Sequence, residues 1–295
     1  MNDKRWRLAI AGALAMILSL PAGAQVLAEA LEGMRIPLAA RPVSRPMTVA
    51  YVPEQARYII ADGGFAAMAD EYGNIASKSL IHVYDAKGNY VSSAKPGLNN
   101  KTVYFNPNQN RLETVTYNVS SDVGMLPLCG VYSLELDKEG KLTNNSDMLS
   151  GPNPAFGDAA TFPTYDPAEN QYYAKQGRSD RVLVVKLDKR EPVREIKLDL
   201  AAAGARFDDI SDSYVAFTGI PGEELAVLDV DHKAVLVFDL KGKFVGRSAL
   251  PSAMKLRANN HYSGHGYANG MFFVYHESEG EFGTYYGFRI SDQAK

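Results

Sequence analysis

Five aspartates, Asp85, Asp137, Asp188, Asp239 and Asp292, recur along this chain at intervals of 52, 51, 51 and 53 residues. A period of about fifty residues confines the chain to repeat architectures in which one supersecondary unit packs on the next. The first four aspartates each lie between two apolar runs: Leu80 to Val91, Val131 to Leu142, Val182 to Ile196 and Val235 to Val245. A fifth run, Tyr285 to Asp292, stops at its turn. Asp-x-x-Gly between such runs is a hairpin signal, because Asp caps the turn and Gly takes the positive φ that ends it. Gly88, Gly140 and Gly242 supply that glycine, and Glu191-Pro192 stands in its place in the third repeat. The aspartates therefore read as turn chemistry rather than as catalytic carboxylates.

A second hairpin precedes each of these, marked by Val52 to Gln55, Asn106 to Gln109, Asp166 to Glu169, Ile220 to Glu223 and Asn269-Gly270. Proline presets φ for a turn corner, and Asn-Gly is the strongest two-residue hairpin signal. Two hairpins per period make four strands per period, the blade of a β-propeller. The expected fold is thus all-β, a propeller of four-stranded antiparallel blades. Met34 to Lys295 holds 262 residues, which gives about 52 per blade for five blades. Six blades would need a degenerate unit inside residues 145–160 or 198–213. Because the chain ends before the last blade gains a fourth strand, the segment Met34 to Ala39 is expected to supply it and close the ring. Pro37 is tolerated there if the strand is an edge.

The hairpin Val235 to Gly246 resembles the end of an NHL-type repeat, and Leu80 to Val91 is similar. Kelch, WD-repeat and sialidase-type propellers use tryptophan in their repeats, whereas the only tryptophan here is Trp6. The resemblance implies an exported bacterial propeller of the broad NHL or six-bladed-like group. Members of that group range from ligand and protein binders to lactone hydrolases and lyases.

Lys4, Arg5 and Arg7, the apolar stretch Leu8 to Leu20, and Ala22-Gly23-Ala24 have the layout of a secretory signal peptide. Residues 1–24 are read as that leader and 25–295 as one propeller domain, periplasmic or secreted. The formal charge is −3, and loss of Lys4, Arg5, Arg7 and Asp3 leaves −5 on the remainder. No basic run follows, which with the acidic balance argues against a nucleic-acid-binding surface over the whole molecule, and no nucleic-acid partner is expected. No later stretch is long enough to span a bilayer, so no stable membrane insertion is expected once the leader is gone. Cys129 is the single cysteine; it cannot form an internal disulfide and reads as a buried thiol. A monomer is expected.

Long loops on a rigid scaffold concentrate function. The connections between blades, with the second-to-third-strand loops at 63–78 and 277–284, place the expected site at one mouth of the central channel. Arg206, Asp208 and Asp209, with Asp212, lie in one connection. In the last blade, pairing across Asn269-Gly270 would place His261, Ser263, His265 and His276 on one face. These residues, His261, His265, His276, Arg206, Asp208 and Asp209, form the candidate ligand-binding set; no catalytic residue and no metal ligand is assigned. Tyr51, Tyr104, Tyr165 and Tyr262 fall at similar points of the innermost strands, suited to packing between blades or to a sugar or peptide at the mouth. The favoured function is a non-enzymatic binding or scaffold protein for a protein or small ligand, without a cofactor. The alternative is a hydrolase or lyase, with a divalent metal as an option, which would gather three of His261, His265, His276, Asp62, Asp208 and Asp209 in one pocket.

Overall fold

A computed structural model describes residues 25–40, 45–63, 80–117, 119–121, 124–277 and 282–294. The leader at 1–24 and nearly all of the loop at 63–78 lie outside these residues. The chain is all-β. A leading strand β1 (Val26–Pro37) comes first. The first sheet then holds β2 (Arg45–Val52), β3 (Arg57–Gly63), β4 (Ile81–Asp85) and β5 (Tyr90–Ala94), paired in that order. The second holds β6 (Asn100–Asn106) and β7 (Arg111–Thr116), a small inserted hairpin β8 (Val119–Ser121) and β9 (Gly124–Leu126), then β10 (Gly130–Leu134) and β11 (Met148–Ser150). The third holds β12 (Thr164–Asp166), β13 (Gln171–Lys175), β14 (Arg181–Val185) and β15 (Arg194–Lys197). The remaining strands are β16 (Ala216–Phe217), β17 (Leu225–Asp229), β18 (Ala234–Phe238), β19 (Phe244–Ala249), β20 (His265–Ala268), β21 (Met271–His276) and β22 (Thr284–Ser291).

These last strands and β1 join into one eight-stranded sheet, ordered β16-β17-β18-β19-β1-β22-β21-β20. It divides at β1, which is antiparallel to β22 over its length but meets β19 in parallel at the single pair Glu29–Ala249. The N-terminal segment thus supplies the fourth strand of the last antiparallel unit, and it begins earlier than the sequence suggested, at Val26. It is an edge only in part, because its first half is covered by β19. Pro37 pairs with Thr284, beyond that contact.

The first strands of successive units touch one another, β2 to β6, β6 to β12, β12 to β16 and β16 to β20, and β20 returns to β2. This architecture of four-stranded antiparallel sheets is consistent with a propeller. Residues 145–160 contribute only β11 and a 3-10 turn at Pro154–Phe156, and residues 198–213 only the isolated bridge Ile210–Asp229.

Middle strands do not alternate as half-buried strands would. In β17 and β18 every residue is buried, whereas β19 alternates. Each sheet stacks on a neighbour at both faces, so only its outermost strand meets water. Cys129 is free and buried, and burial pushes its thiol up.

The repeated turn is built as its sequence requires. Asp85 Oδ1 accepts the amides of Lys87 and Asn89 at 2.8 and 2.9 Å, Asp137 Oδ1 those of Glu139 and Lys141 at 3.0 and 2.8 Å, and Asp239 Oδ1 those of Lys241 and Lys243 at 2.8 and 2.9 Å. Asp292 differs: its carboxylate accepts the Gln25 amide at 3.0 Å, tying the C-terminal strand to the start of β1. Gly242 has φ +81°, and a Cβ there would lie 2.0 Å from the Lys197 carbonyl of the preceding sheet. Gly242→Ala is accordingly expected to cost roughly 2–3 kcal/mol from backbone strain and the forced shift of β15. A urea midpoint equal to that of the wild type would show that the turn escapes this contact.

Candidate functional site

The connections between sheets and the loops between second and third strands share one face, where the sequence placed its site. Two buried lysines hold this face together. Lys175 Nζ donates to the carbonyls of Asp212 (2.6 Å) and Ser179 (3.0 Å), which anchors the connection before β16 to the third sheet. Burial lowers its ammonium to about 8. Lys101 Nζ donates to Ala159 O and to Thr161 O (3.2 Å) and sits 5.2 Å from the centre of the Phe162 ring. Both lysines lie within buried strands, where a charged residue is retained only if its donors are met.

The acidic loop folds on itself. Buried Asp209 accepts the Arg206 amide at 2.8 Å and its guanidinium at 3.1 Å, and these bonds hold its carboxyl below the usual range. Asp208 is exposed, with Arg178 3.9 Å away. Asp212 accepts the Arg178 amide at 2.5 Å and donates its own amide to His261 O at 2.6 Å.

The histidine arrangement differs from the expected hairpin face. Pairing across Asn269-Gly270 does run Ala268–Met271 to His265–Val274, with positive φ at both turn residues. It ends there, because Ala258–His261 form a 3-10 turn closed by Asn260, whose side chain accepts the Arg257 amide and donates to Tyr275 O. His261 therefore leaves the sheet; its ring contacts Ile210 O at 3.2 Å and Asp231 at 3.3 Å. His265 is buried, stacked on Tyr214 at 5.5 Å, with Nε2 2.5 Å from Asn260 O and Nδ1 without a partner. Burial lowers its imidazole to about 4. His276, at the end of β21, pairs with Thr284 of β22 and packs edge-on against Tyr286. Asp62 is buried in the first sheet beside His82. Among the described residues, no three His, Cys, Asp or Glu side chains are placed to share a metal ion.

The centre of the ring is nearly filled. Thr48, Thr102, Tyr104, Thr164, Tyr165 and Tyr267 are among the side chains around a cavity of about 60 Å³, room for a few waters only. Tyr104 and Tyr165 pack at 4.9 Å and Tyr51 packs on Tyr58 at 4.7 Å, whereas Tyr262 projects from the 3-10 turn, exposed.

The larger space is on the opposite face, the face of the short turns. A cleft of about 820 Å³ opens between the first and second sheets, a volume typical of small-molecule sites. It exists because the outer strand of the second sheet leaves its neighbour after the Thr143 amide bonds Glu135 O at 2.9 Å and rejoins where Asp147 O accepts the Ser133 amide at 2.8 Å. The intervening arch is tied to the first sheet instead: Asn144 Oδ1 accepts the Lys95 amide at 3.0 Å and Ser146 Oγ donates to Pro96 O at 3.5 Å. Gln55, Arg111, Ser133, Glu135 and Asn145 give the cleft a hydrogen-bonding wall, and Phe105, Val52 and Leu134 give it apolar surface. Arg111 is fixed in place by buried Glu113, at 3.0 Å from Nε and 2.7 Å from Nη2. Glu113 in turn accepts from Tyr104 (2.5 Å) and Asn106 (3.1 Å). At the lip, Asn110 reaches across to Glu54 at 3.2 Å.

No family model and no curated protein matches the chain. Solved structures do. A glucose dehydrogenase is similar at 10% identity and TM-score 0.48, over 87% of this chain and 99% of its own. A gluconolactonase from Xanthomonas campestris has 10% identity and TM-score 0.39, over 87% and 98%. The β-propeller domain of Cps50 (Swd1) from Myceliophteria thermophila has 9% identity and TM-score 0.38, over 83% and 82%. These neighbours are propeller-like, and at such scores they carry nothing about the activity of this chain. Among the described residues no helix is long and apolar enough to cross a membrane.

Proposed function

We propose that this chain is an exported, monomeric five-bladed propeller that binds a small hydroxyl-rich ligand, of the saccharide class, in the cleft between its first two sheets. The observation that carries this reading is the built wall of that cleft. Amide and hydroxyl groups of Gln55, Ser133 and Asn145 stand beside an Arg111 held immobile by Glu113, next to the Phe105 ring. Positioned donors and acceptors over apolar surface orient a polyol and lose little entropy in doing so. This moves the binding site from the long loops of one face to the short turns of the other, and makes binding rather than chemistry the task.

A panel of mono- and oligosaccharides screened by thermal shift and calorimetry tests the reading. Gln55→Leu with Asn145→Leu is expected to weaken the best binder at least tenfold, the scale of one or two lost hydrogen bonds, with the melting midpoint within about 2 °C of wild type. A binder unaffected by the double variant would place the site elsewhere.

One arrangement favours the enzymatic alternative. Exposed Ser93 lies 2.7 Å from His82 Nδ1, and His82 Nε2 lies 3.8 Å from buried Asp62, a nucleophile–base–carboxylate order. Covalent capture of Ser93 by a fluorophosphonate, lost in His82→Gln, would transfer the assignment to a hydrolase.

A further inference from the structure

The cleft between the first two sheets is short of hydrogen-bond donors and carries negative charge. Of the side chains that line it, Glu54, Glu135 and Asp147 are acidic and exposed, and Arg111 alone is basic. That one cation is already engaged, because its Nε and Nη2 both donate to Oε1 of buried Glu113, at 3.0 and 2.7 Å, and the pair adds no net charge. The three carboxylates therefore line the cleft without a compensating cation. Arg57, the nearest arginine of the first sheet in sequence, is not part of the lining and turns Nη1 back onto Gln55 O at 3.2 Å.

The interrupted outer strand sets the places of these acids. Ser133 lies opposite Asp147, its amide on Asp147 O at 2.8 Å and its hydroxyl accepting the Asp147 amide at 3.0 Å. Two residues on, Glu135 lies opposite Thr143, whose amide donates to Glu135 O at 2.9 Å. Glu135 and Asp147 are thus diagonal neighbours across the strand pair, with Cβ atoms about 7–8 Å apart. Glu135 Oε2 accepts the Thr143 hydroxyl at 3.0 Å and the Asn145 amide at 2.6 Å, which fixes the carboxylate and leaves Oε1 open. At the lip, Glu54 Oε2 accepts from Asn110 at 3.2 Å, and the Asp147 carboxylate accepts no hydrogen bond among the described residues. An observation independent of charge agrees: Gln55 Oε1, on the side of the first sheet, is buried without a hydrogen-bond partner. These open positions are all acceptors.

We propose that the saccharide of this cleft is an amino sugar with a free ammonium group, seated between Glu135 and Asp147 with Glu54 at the lip. This charge assignment rests on the saccharide reading of the same cleft. A ligand with hydroxyls alone satisfies the amides of the wall and takes water from the carboxylates without replacing it in kind. An ammonium has three donors and no acceptor, and a hydrogen bond between two charged groups is roughly twice as strong as a neutral one. A uronate or a phosphorylated sugar meets repulsion from the same carboxylates.

The probe is a set of β-1,4-linked glucosamine oligomers of two to four units, measured by calorimetry at about pH 6, where the amine is protonated and the carboxylates are ionised. Their N-acetylated forms keep the shape and lose the charge, and glucose oligomers put a hydroxyl in place of the nitrogen. The free amine should bind at least tenfold more tightly than either. That margin should shrink severalfold as sodium chloride rises from about 20 mM to about 500 mM. Asp147→Asn with Glu54→Gln should reduce it to within about threefold, and Asp147→Asn alone, with a smaller reduction, serves if the pair does not fold. Equal affinity for free and acetylated oligomers, both weakened by Gln55→Leu with Asn145→Leu, overturns the amino-sugar inference and leaves the saccharide cleft standing. No binding of any oligomer, or binding untouched by Gln55→Leu with Asn145→Leu, overturns both. A preference for the amine that survives in Asp147→Asn with Glu54→Gln overturns the assignment to these carboxylates, and spermidine bound as tightly as the amino oligomer overturns the sugar.

Discussion

A chain lacking residues 25–37 is expected to lose the cooperative unfolding transition of the intact protein. β1 buries Ile36 completely and pairs with β22 over most of its length. Ile36 alone contributes about 2–3 kcal/mol through burial. Removing the strand also uncovers β22, opens the contact with β19 and leaves Asp292 without the Gln25 amide. The total, roughly 5 kcal/mol or more, is comparable with the whole margin of an ordinary domain. Urea unfolding followed by circular dichroism reads it directly, with Ile36→Asp as the graded version at about 3–4 kcal/mol. A truncated chain with an unchanged midpoint and slope would mean that the last unit is stable with three strands. Recovery of the transition on adding a peptide of residues 25–40 would show that the strand acts by docking alone.

The second large effect concerns acid. Burial lowers His265 to about 4 from an ordinary 6.5, and the nearby His261 charge acts in the same direction while the Asn260 carbonyl opposes both. The folded state therefore binds this proton less readily than the unfolded chain. The stability that depends on neutral His265 is complete above pH 6.5 and is lost as pH falls from 6.5 towards 4. The difference of about 2.5 units corresponds to about 3 kcal/mol. His265→Phe keeps the stacking on Tyr214 but cannot titrate, so its urea midpoint should vary less with pH over that window. It should be less stable than wild type at pH 7 by about 1 kcal/mol for the lost bond to Asn260 O. Parallel pH profiles for the two proteins would exclude His265 as the source. Glu223 acts with the opposite sign: its raised carboxyl loses stability as pH rises above 4.5, so the comparison between variants, not the raw profile, isolates the histidine.

Much of the scaffold was legible because its determinants are local. Asp85, Asp137 and Asp239 cap their turns through atoms two and four residues away, and Asn269-Gly270 fixes its own register. The closing strand could be read from an unmatched strand at each end. The candidate site was less legible because its determinants are distant. The cleft depends on the arch at 144–146, where Asn144 and Ser146 bond Lys95 and Pro96 instead of continuing the pairing made on either side by Thr143 and Asp147, and no residue of the arch signals that choice alone. His261 leaves its strand because Asn260 bonds the Arg257 amide and Tyr275 O; an asparagine three residues after Arg257 was the available signal. Lys101 and Lys175, each the single charged residue of its strand, were a signal that charge pattern alone could have raised.

The pairing of Val26 with Ser291 sets an order of events for folding. Contacts so far apart in sequence carry the largest loop-closure cost and are made late. Turns such as those at Asp85 and Asp239 can form as soon as their few residues are free, but the last sheet waits for both ends of the chain. A polypeptide that emerges N-terminus first must keep its opening strand unpaired until the final residues arrive. Through that interval β1 and the exposed edge of β22 are each other's intended partner and also the most accessible template for a neighbouring chain. Folding yield should therefore fall with protein concentration during refolding, while the closed ring, once formed, covers the edge of β22 and the first half of β1.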